Sequence, residues 1–218
     1  MLDLPLAYLH RPAALGTVNP SLLVLMHGVG SNEADLFGLA DTVALDWHVL
    51  SLRGPLTLGP RAHAWFEVQF GPTGPRIHEE QERQSRALLT RTIPQAAQQL
   101  GIPASRVVVG GFSQGGIMGL SLLLTQPALA QGAVVMHSRL LEQVEPLIAP
   151  AAQLSGKQLW VSHGVEDAVI PLSRAQAIRD TVQKLPLNLT YQTFPGGHEI
   201  RPAEWEAVRR WLSQVSLN

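Results

Sequence analysis

Cysteine is missing from all 218 residues. Its absence excludes disulfides, thiolate metal sites and a cysteine nucleophile together. Lysine is nearly missing as well: Lys157 and Lys184 are the only lysines among 16 basic residues, a bias with no functional account. Formal net charge is −1 and neither sign forms a run, so nothing electrostatic recruits nucleic acid or an anionic membrane. No apolar stretch approaches the ~18 residues expected of a membrane span. Met1-Leu2-Asp3-Leu4-Pro5 lacks the basic-then-apolar order of a secretory signal. The expectation is a soluble, cytoplasmic protein with no stable membrane insertion.

Histidine is plentiful but scattered. None of the eight histidines belongs to a His-Glu-x-x-His pair, and His78-Glu79-Glu80 is not that motif. A metal-dependent hydrolase therefore finds no support, and neither a metal nor another cofactor is expected.

What is present describes a folded chain. Hydrophobic residues make up 45% and charged residues 15%, which excludes disorder. The length suits one α/β domain or two small ones. With no internal repeat, low-complexity tract or linker, one domain over residues 1–218 is the economical reading.

Short apolar runs alternate with helical stretches. Ser21–Met26, Val49–Leu52, Arg106–Val109, Ala133–Met136, Gln158–Ser162 and Asn188–Phe194 read as strands, several of them apolar on both faces. An edge strand is expected around Leu6–Leu9. Helices are expected from Ser31 or Asn32 to Ala44, over Glu79–Leu100 with Pro94 kinking or splitting it, after Ser113, over Ser173–Lys184 and over Pro202–Val215. Residues 54–78, with four prolines and four glycines, read as a long loop. This alternation predicts a mostly parallel, doubly wound sheet with helices on both faces.

Val107-Val108-Val109-Gly110-Gly111-Phe112-Ser113-Gln114-Gly115 carries the chemistry. A strand running into Gly-x-Ser-x-Gly and then a helix is the nucleophile-elbow pattern: the turn is sharp, and glycines two residues either side let neighbouring backbone pass. The pattern is short enough to arise by chance, so the rest of the chain must supply its partners. His198, in Phe194-Pro195-Gly196-Gly197-His198, follows the last strand and can meet Ser113 as a base. The orienting acid should lie between them in sequence. Glu142, Glu145, Glu166, Asp167 and Asp180 are the candidates. Asp167 is preferred, because it follows a strand in a loop and precedes apolar Ala168-Val169-Ile170-Pro171. An oxyanion needs two N–H donors, and the backbone of Gln114 and of Val29, in His27-Gly28-Val29-Gly30, are placed to supply them.

Taken as a set, His27-Gly28-Val29-Gly30-Ser31-Asn32-Glu33, Arg53-Gly54-Pro55, Trp65-Phe66, Gly111-Phe112-Ser113-Gln114-Gly115-Gly116, His163-Gly164-x-x-Asp167-x-x-Ile170-Pro171 and Gly196-Gly197-His198-Glu199-Ile200 resemble the phospholipase/carboxylesterase family of α/β-hydrolases. That family includes acyl-protein thioesterases and small bacterial carboxylesterases. The resemblance implies the α/β-hydrolase fold without a large lid. It also implies Ser113, Asp167 and His198 as nucleophile, acid and base, and an oxyanion hole from the Val29 and Gln114 backbone. By the same resemblance Trp65 and Phe66 line the substrate pocket. One departure stands out: relatives typically have Ser-Gly where this chain reads His137-Ser138-Arg139, which alters the pocket rim. His137 is expected to be a packed loop histidine rather than a polar support for the site.

The expected activity is hydrolysis of a small-molecule ester through an acyl-enzyme on Ser113. Carboxyl esters, lysophospholipids and acyl thioesters share that chemistry, and the motifs do not separate them. A non-catalytic binding module on the same fold is the reading from another class. A homodimer through an exposed apolar helix face is open.

Overall fold

A computed structural model describes residues 1–71, 74–215 and 217 of the chain. The elements in order are β1 (Tyr8–Arg11), β2 (Ser21–Met26), α1 (Ala34–Phe37), β3 (Trp47–Leu52), β4 (Leu56–Gly59), β5 (Ala62–Ala64), β6 (Val68–Gly71), β7 (Gly74–Ile77), α2 (Glu79–Leu100), β8 (Val107–Phe112), α3 (Gln114–Thr125), β9 (Gly132–Met136), α4 (Ala151–Leu154), β10 (Gln158–Gly164), α5 (Leu172–Val182), β11 (Asn188–Phe194) and α6 (Pro202–Gln214). Seven strands form one sheet in the order β1-β3-β2-β8-β9-β10-β11. Only β1 runs antiparallel, against β3; the other pairings are parallel. The alternating pattern led to the expectation of such a mostly parallel sheet, and the resemblance implied its α/β-hydrolase form.

The apolar runs explain themselves once both faces are covered. Every residue of β2 is buried. Its Leu22, Val24 and Met26 pack on one side with Leu89 and Ile93 of α2, Leu120 of α3 and Ile178 of α5. Leu23 and Leu25 face the opposite way, toward Leu36, Trp205 and Val208. A period of two in side-chain direction thus feeds two cores from one strand.

Two local expectations change. The helix expected to reach Ala44 breaks into α1 and a 3-10 turn at Ala40–Thr42. Gly38, a poor helix former, stands at the break, while Leu36, Ala40 and Val43 stay buried on one side. The stretch read as a loop holds two antiparallel strand pairs, β4–β5 and β6–β7. The first is tied to the loop after β2, where the Gly30 amide donates to the His63 carbonyl (2.8 Å) and the His63 amide to the Ser31 carbonyl (2.7 Å). Of the two outcomes expected at Pro94, a kink or a split, the split does not occur: α2 is one helix from Glu79 to Leu100. None of the described helices is long and apolar enough to cross a membrane.

Candidate active site

The carboxyl ends of β2, β8, β9, β10 and β11 converge, as expected for ligand sites in open parallel sheets. Between β8 and α3, Ser113 takes φ 54° and ψ −116°, a conformation that costs an L-residue about 1–3 kcal/mol. Surrounding structure enforces it. The Ser113 amide donates to the Met136 carbonyl at 2.9 Å, and its carbonyl accepts from the Ile117 amide at 3.0 Å. The Ser138 hydroxyl lies 2.7 Å from that same carbonyl. Close approach also requires glycine: a Cβ at Gly111 or Gly115 would sit 2.0 or 1.8 Å from the Met26 carbonyl oxygen. The end of β2 therefore presses directly against the elbow.

A hydrogen-bonded line runs from Ser113. Its Oγ lies 2.9 Å from Nε2 of His198, and Nδ1 of His198 lies 2.7 Å from Oδ2 of Asp167. The partners fix the tautomer: Nδ1–H donates to the carboxylate, and Nε2 accepts from the serine hydroxyl. Asp167 is itself pinned, because Oδ1 accepts from the Val169 and Ile170 amides at 2.9 and 2.8 Å. Burial works against its charge. Hydrogen bonds from His198, Ile170 and His137 outweigh that burial and hold the carboxyl below its ordinary range. Ser113, only 7% exposed, opens into a cavity of about 380 Å³ together with Gln114, Val29 and Phe66.

The oxyanion candidates lie beside this line. An added Cβ at Gly28 would come within 3.5 Å of Ser113 Cβ, so the loop after β2 passes Ser113. Neither the Val29 nor the Gln114 amide donates to another group among the described residues. His27 sits beneath that loop, fully buried. Its Nδ1–H donates to the Gly28 carbonyl (2.7 Å) and its Nε2 accepts from the Gly54 amide (2.9 Å). Burial depresses its pKa, so it stays neutral and ties two strand ends together.

Two positions differ from expectation. Trp65 does not line the cavity: it is 0% exposed, its indole N–H donates to the His27 carbonyl at 3.0 Å, and it packs beneath the site. Phe66 does line it. Both are held by the Gln114 side chain, whose Oε1 accepts from the Trp65 amide (2.7 Å) and whose Nε2 donates to the Phe66 carbonyl (2.6 Å). Gln114 thus acts through its side chain as well as its backbone.

The larger correction concerns His137. It is 1% exposed, has a positive φ of 52°, and bridges two acids. Nδ1 lies 3.1 Å from Oδ2 of Asp167, and Nε2 lies 3.0 Å from Oε2 of Glu204. Burial disfavours the cation, but the hydrogen bonds and charges of Glu204 and Asp167 outweigh it and raise the pKa. With a carboxylate facing each nitrogen, His137 is a polar contact of the site rather than a packed loop histidine. Glu204, from α6, escaped the sequence reading altogether, because nothing local marks a glutamate 67 residues away as its partner.

Among the described residues, one trio, His137, His163 and Asp167, gathers potential metal-binding atoms within 4.8 Å. Both His137 nitrogens face carboxylates, and Asp167 serves two imidazoles and two amides. His163 Nε2–H donates to the Ile170 carbonyl at 2.7 Å, and its buried Nδ1 has no hydrogen-bond partner among the described residues.

Comparison with known proteins agrees with this geometry. Residues 17–216 match the phospholipase/carboxylesterase family. The chain is 30% identical over 170 residues to esterase YpfH of Escherichia coli (strain K12), covering 74% of this chain and 68% of that one. It is 32% identical over 117 residues to acyl-protein thioesterase 1 of Neurospora crassa, covering 52% and 48%, so it spans about half of that relative's length. The solved Bacillus cereus carboxylesterase superposes with a TM-score of 0.83 at 22% identity, covering 97% of this chain and 95% of that one. This chain belongs to the phospholipase/carboxylesterase family.

Proposed function

We propose that the chain is a serine carboxylesterase acting on small to medium acyl esters. The observation that carries the reading is the unbroken line from Ser113 through His198 to Asp167, opening on an apolar cavity. In the first half-reaction Ser113 Oγ attacks the ester carbonyl while His198 Nε2 takes its proton. The Val29 and Gln114 amides receive the oxyanion. Asp167 holds the Nδ1–H and stabilises the imidazolium formed at His198. Collapse expels the alcohol, which leaves with the proton from His198. Water, deprotonated by the same nitrogen, then attacks the acyl-enzyme, and the carboxylic acid departs as Ser113 regains its proton.

Membership of the family supports this reading, as does the cavity, whose size lies in the range that holds small ligands. Lysophospholipids and acyl thioesters suit the same chemistry, and acyl-protein thioesterase 1 of Neurospora crassa is among the relatives. The test is a series of p-nitrophenyl esters of increasing chain length beside an acyl thioester, with wild type and Ser113→Ala. Wild type turns over the short and medium oxyesters best, and Ser113→Ala lowers turnover by up to ~10⁶ if the triad works as a unit. Undiminished turnover in that variant contradicts the proposal. Faster turnover of the thioester than of every oxyester replaces carboxylesterase by thioesterase.

A further inference from the structure

The cavity above Ser113 has an electrostatic bias that ester hydrolysis alone does not require. Its wall is apolar along Phe66, Val68, Ile117 and Ile170, and the charged side chains on it are Arg139 and Arg174. No carboxylate faces into it among the described residues. Neither guanidinium has an ion pair or a hydrogen bond among the described residues, although Arg139 is half-buried.

Each arginine stands where a cation is disfavoured. Burial lowers the pKa of Arg139, and the like charge of Arg174 lowers it further against the raising effect of Glu142. Arg174 lies in the first turn of α5, at the positive end of the helix dipole, where an acid is favoured and a cation repelled. Two like charges and a helix N-terminus therefore share one region of the cavity that contains the nucleophile. Such an arrangement is costly when empty and favourable when an anion lies between the cations. Guanidinium suits that task, since its planar fork matches carboxylate and phosphate oxygens.

We propose that Arg139 and Arg174 form an anion subsite that receives a carboxylate or phosphate carried by the ester substrate itself, while the apolar wall takes the intervening hydrocarbon. The inference rests on Ser113 being the nucleophile. It narrows the substrate class from esters in general to esters with an anionic group on the acyl or the alcohol side.

The test compares matched pairs on the intact enzyme at low ionic strength. One arm sets monoethyl esters of straight-chain dicarboxylic acids, from succinate to suberate, against ethyl alkanoates of equal chain length. The other sets butyryl glycerol phosphate against butyryl glycerol, which separates phosphate from carboxylate. The readout is the ratio of kcat/KM, anionic over neutral, within each enzyme preparation, so partial misfolding of a variant cancels. Wild type should prefer the anionic member by about tenfold or more in at least one pair, as a charge-assisted contact provides. Arg139→Gln/Arg174→Gln should lower that ratio by at least about fivefold, and Arg139→Lys should retain more of it than Arg139→Gln. A ratio below about tenfold in every pair, or one that the double substitution fails to lower fivefold, overturns the subsite. If neutral esters are hydrolysed without that preference, the esterase reading stands alone; if no ester of either arm is hydrolysed, both readings fall.

Discussion

At Asp167 one carboxylate serves two imidazoles. Oδ2 faces Nδ1 of His198 on one side and Nδ1 of His137 on the other, and Glu204 closes the chain behind His137. Four ionisable groups lie around His137: Asp167, Glu204, His163 and His198. As a cation it draws on the same oxygen that stabilises the His198 imidazolium, and the two rings lie 5.7 Å apart. Replacing His137 with Asn removes that charge and its contact with Oδ2, so the acid limb of the kcat/KM–pH profile should move. An unmoved limb, with only the amplitude reduced, would mean that His137 merely packs.

The same pair has a stability signature. His137 has a raised pKa in the folded state, so its contribution is fully present below its unfolded value of about 6.5 and is lost as pH rises through the folded one. Asp167, with a lowered pKa, contributes above about 3.9 and loses its contribution as pH falls through its folded value. Urea titration of wild type and His137→Asn should thus show a larger stability gap at pH 6 than at pH 9, and a gap equal at both would contradict the charge assignment. None of this was legible from sequence. His137 sits in a loop with no periodicity, and its acid partners come from other elements. Trp65 was misread for a related reason: a resemblance supplies the residue but not the direction its ring faces.

At the scale of elements, the elbow works because β2 and α3 touch. The 1.8 Å approach that a Cβ at Gly115 would make to the Met26 carbonyl has no flexible atom to absorb it. Gly115→Ala should lose about 1–3 kcal/mol or more and misplace the Gln114 amide, lowering both the melting temperature and turnover of a neutral ester. Wild-type values for both would show that the contact can relax. The strands bearing the site were readable, since β2, β8, β9 and β10 are nearly continuous apolar runs that only a doubly covered sheet explains. So was the chain order Ser113, Asp167, His198. The strand pairs β4–β5 and β6–β7 were not, because these strands are short and crowded with proline and glycine, which read locally as loop. The early end of α1 was hidden by a buried spacing of Leu36, Ala40 and Val43 that survives the break.

At the scale of the whole molecule, one sheet edge collects everything the chemistry uses. Loops after β2 and β8 bring Val29 and Ser113 to one cavity, loops after β9, β10 and β11 bring His137, Asp167 and His198 into a hydrogen-bonded line behind Ser113, and α6 reaches back with Glu204. The hairpins after β3 cover the site from the side through Phe66, locked by Gln114. One short segment, residues 137–139, thus places a buried histidine behind Asp167 and an arginine on the cavity that Ser113 lines. The central claim, that Ser113 is the nucleophile of an acyl-enzyme, is tested most directly by intact-mass analysis after treatment with a fluorophosphonate. The account predicts one adduct, mapped to Ser113, forming in step with the loss of esterase activity and absent in Ser113→Ala. Full esterase activity after stoichiometric labelling, or an adduct on another residue that accounts for the inactivation, would contradict it.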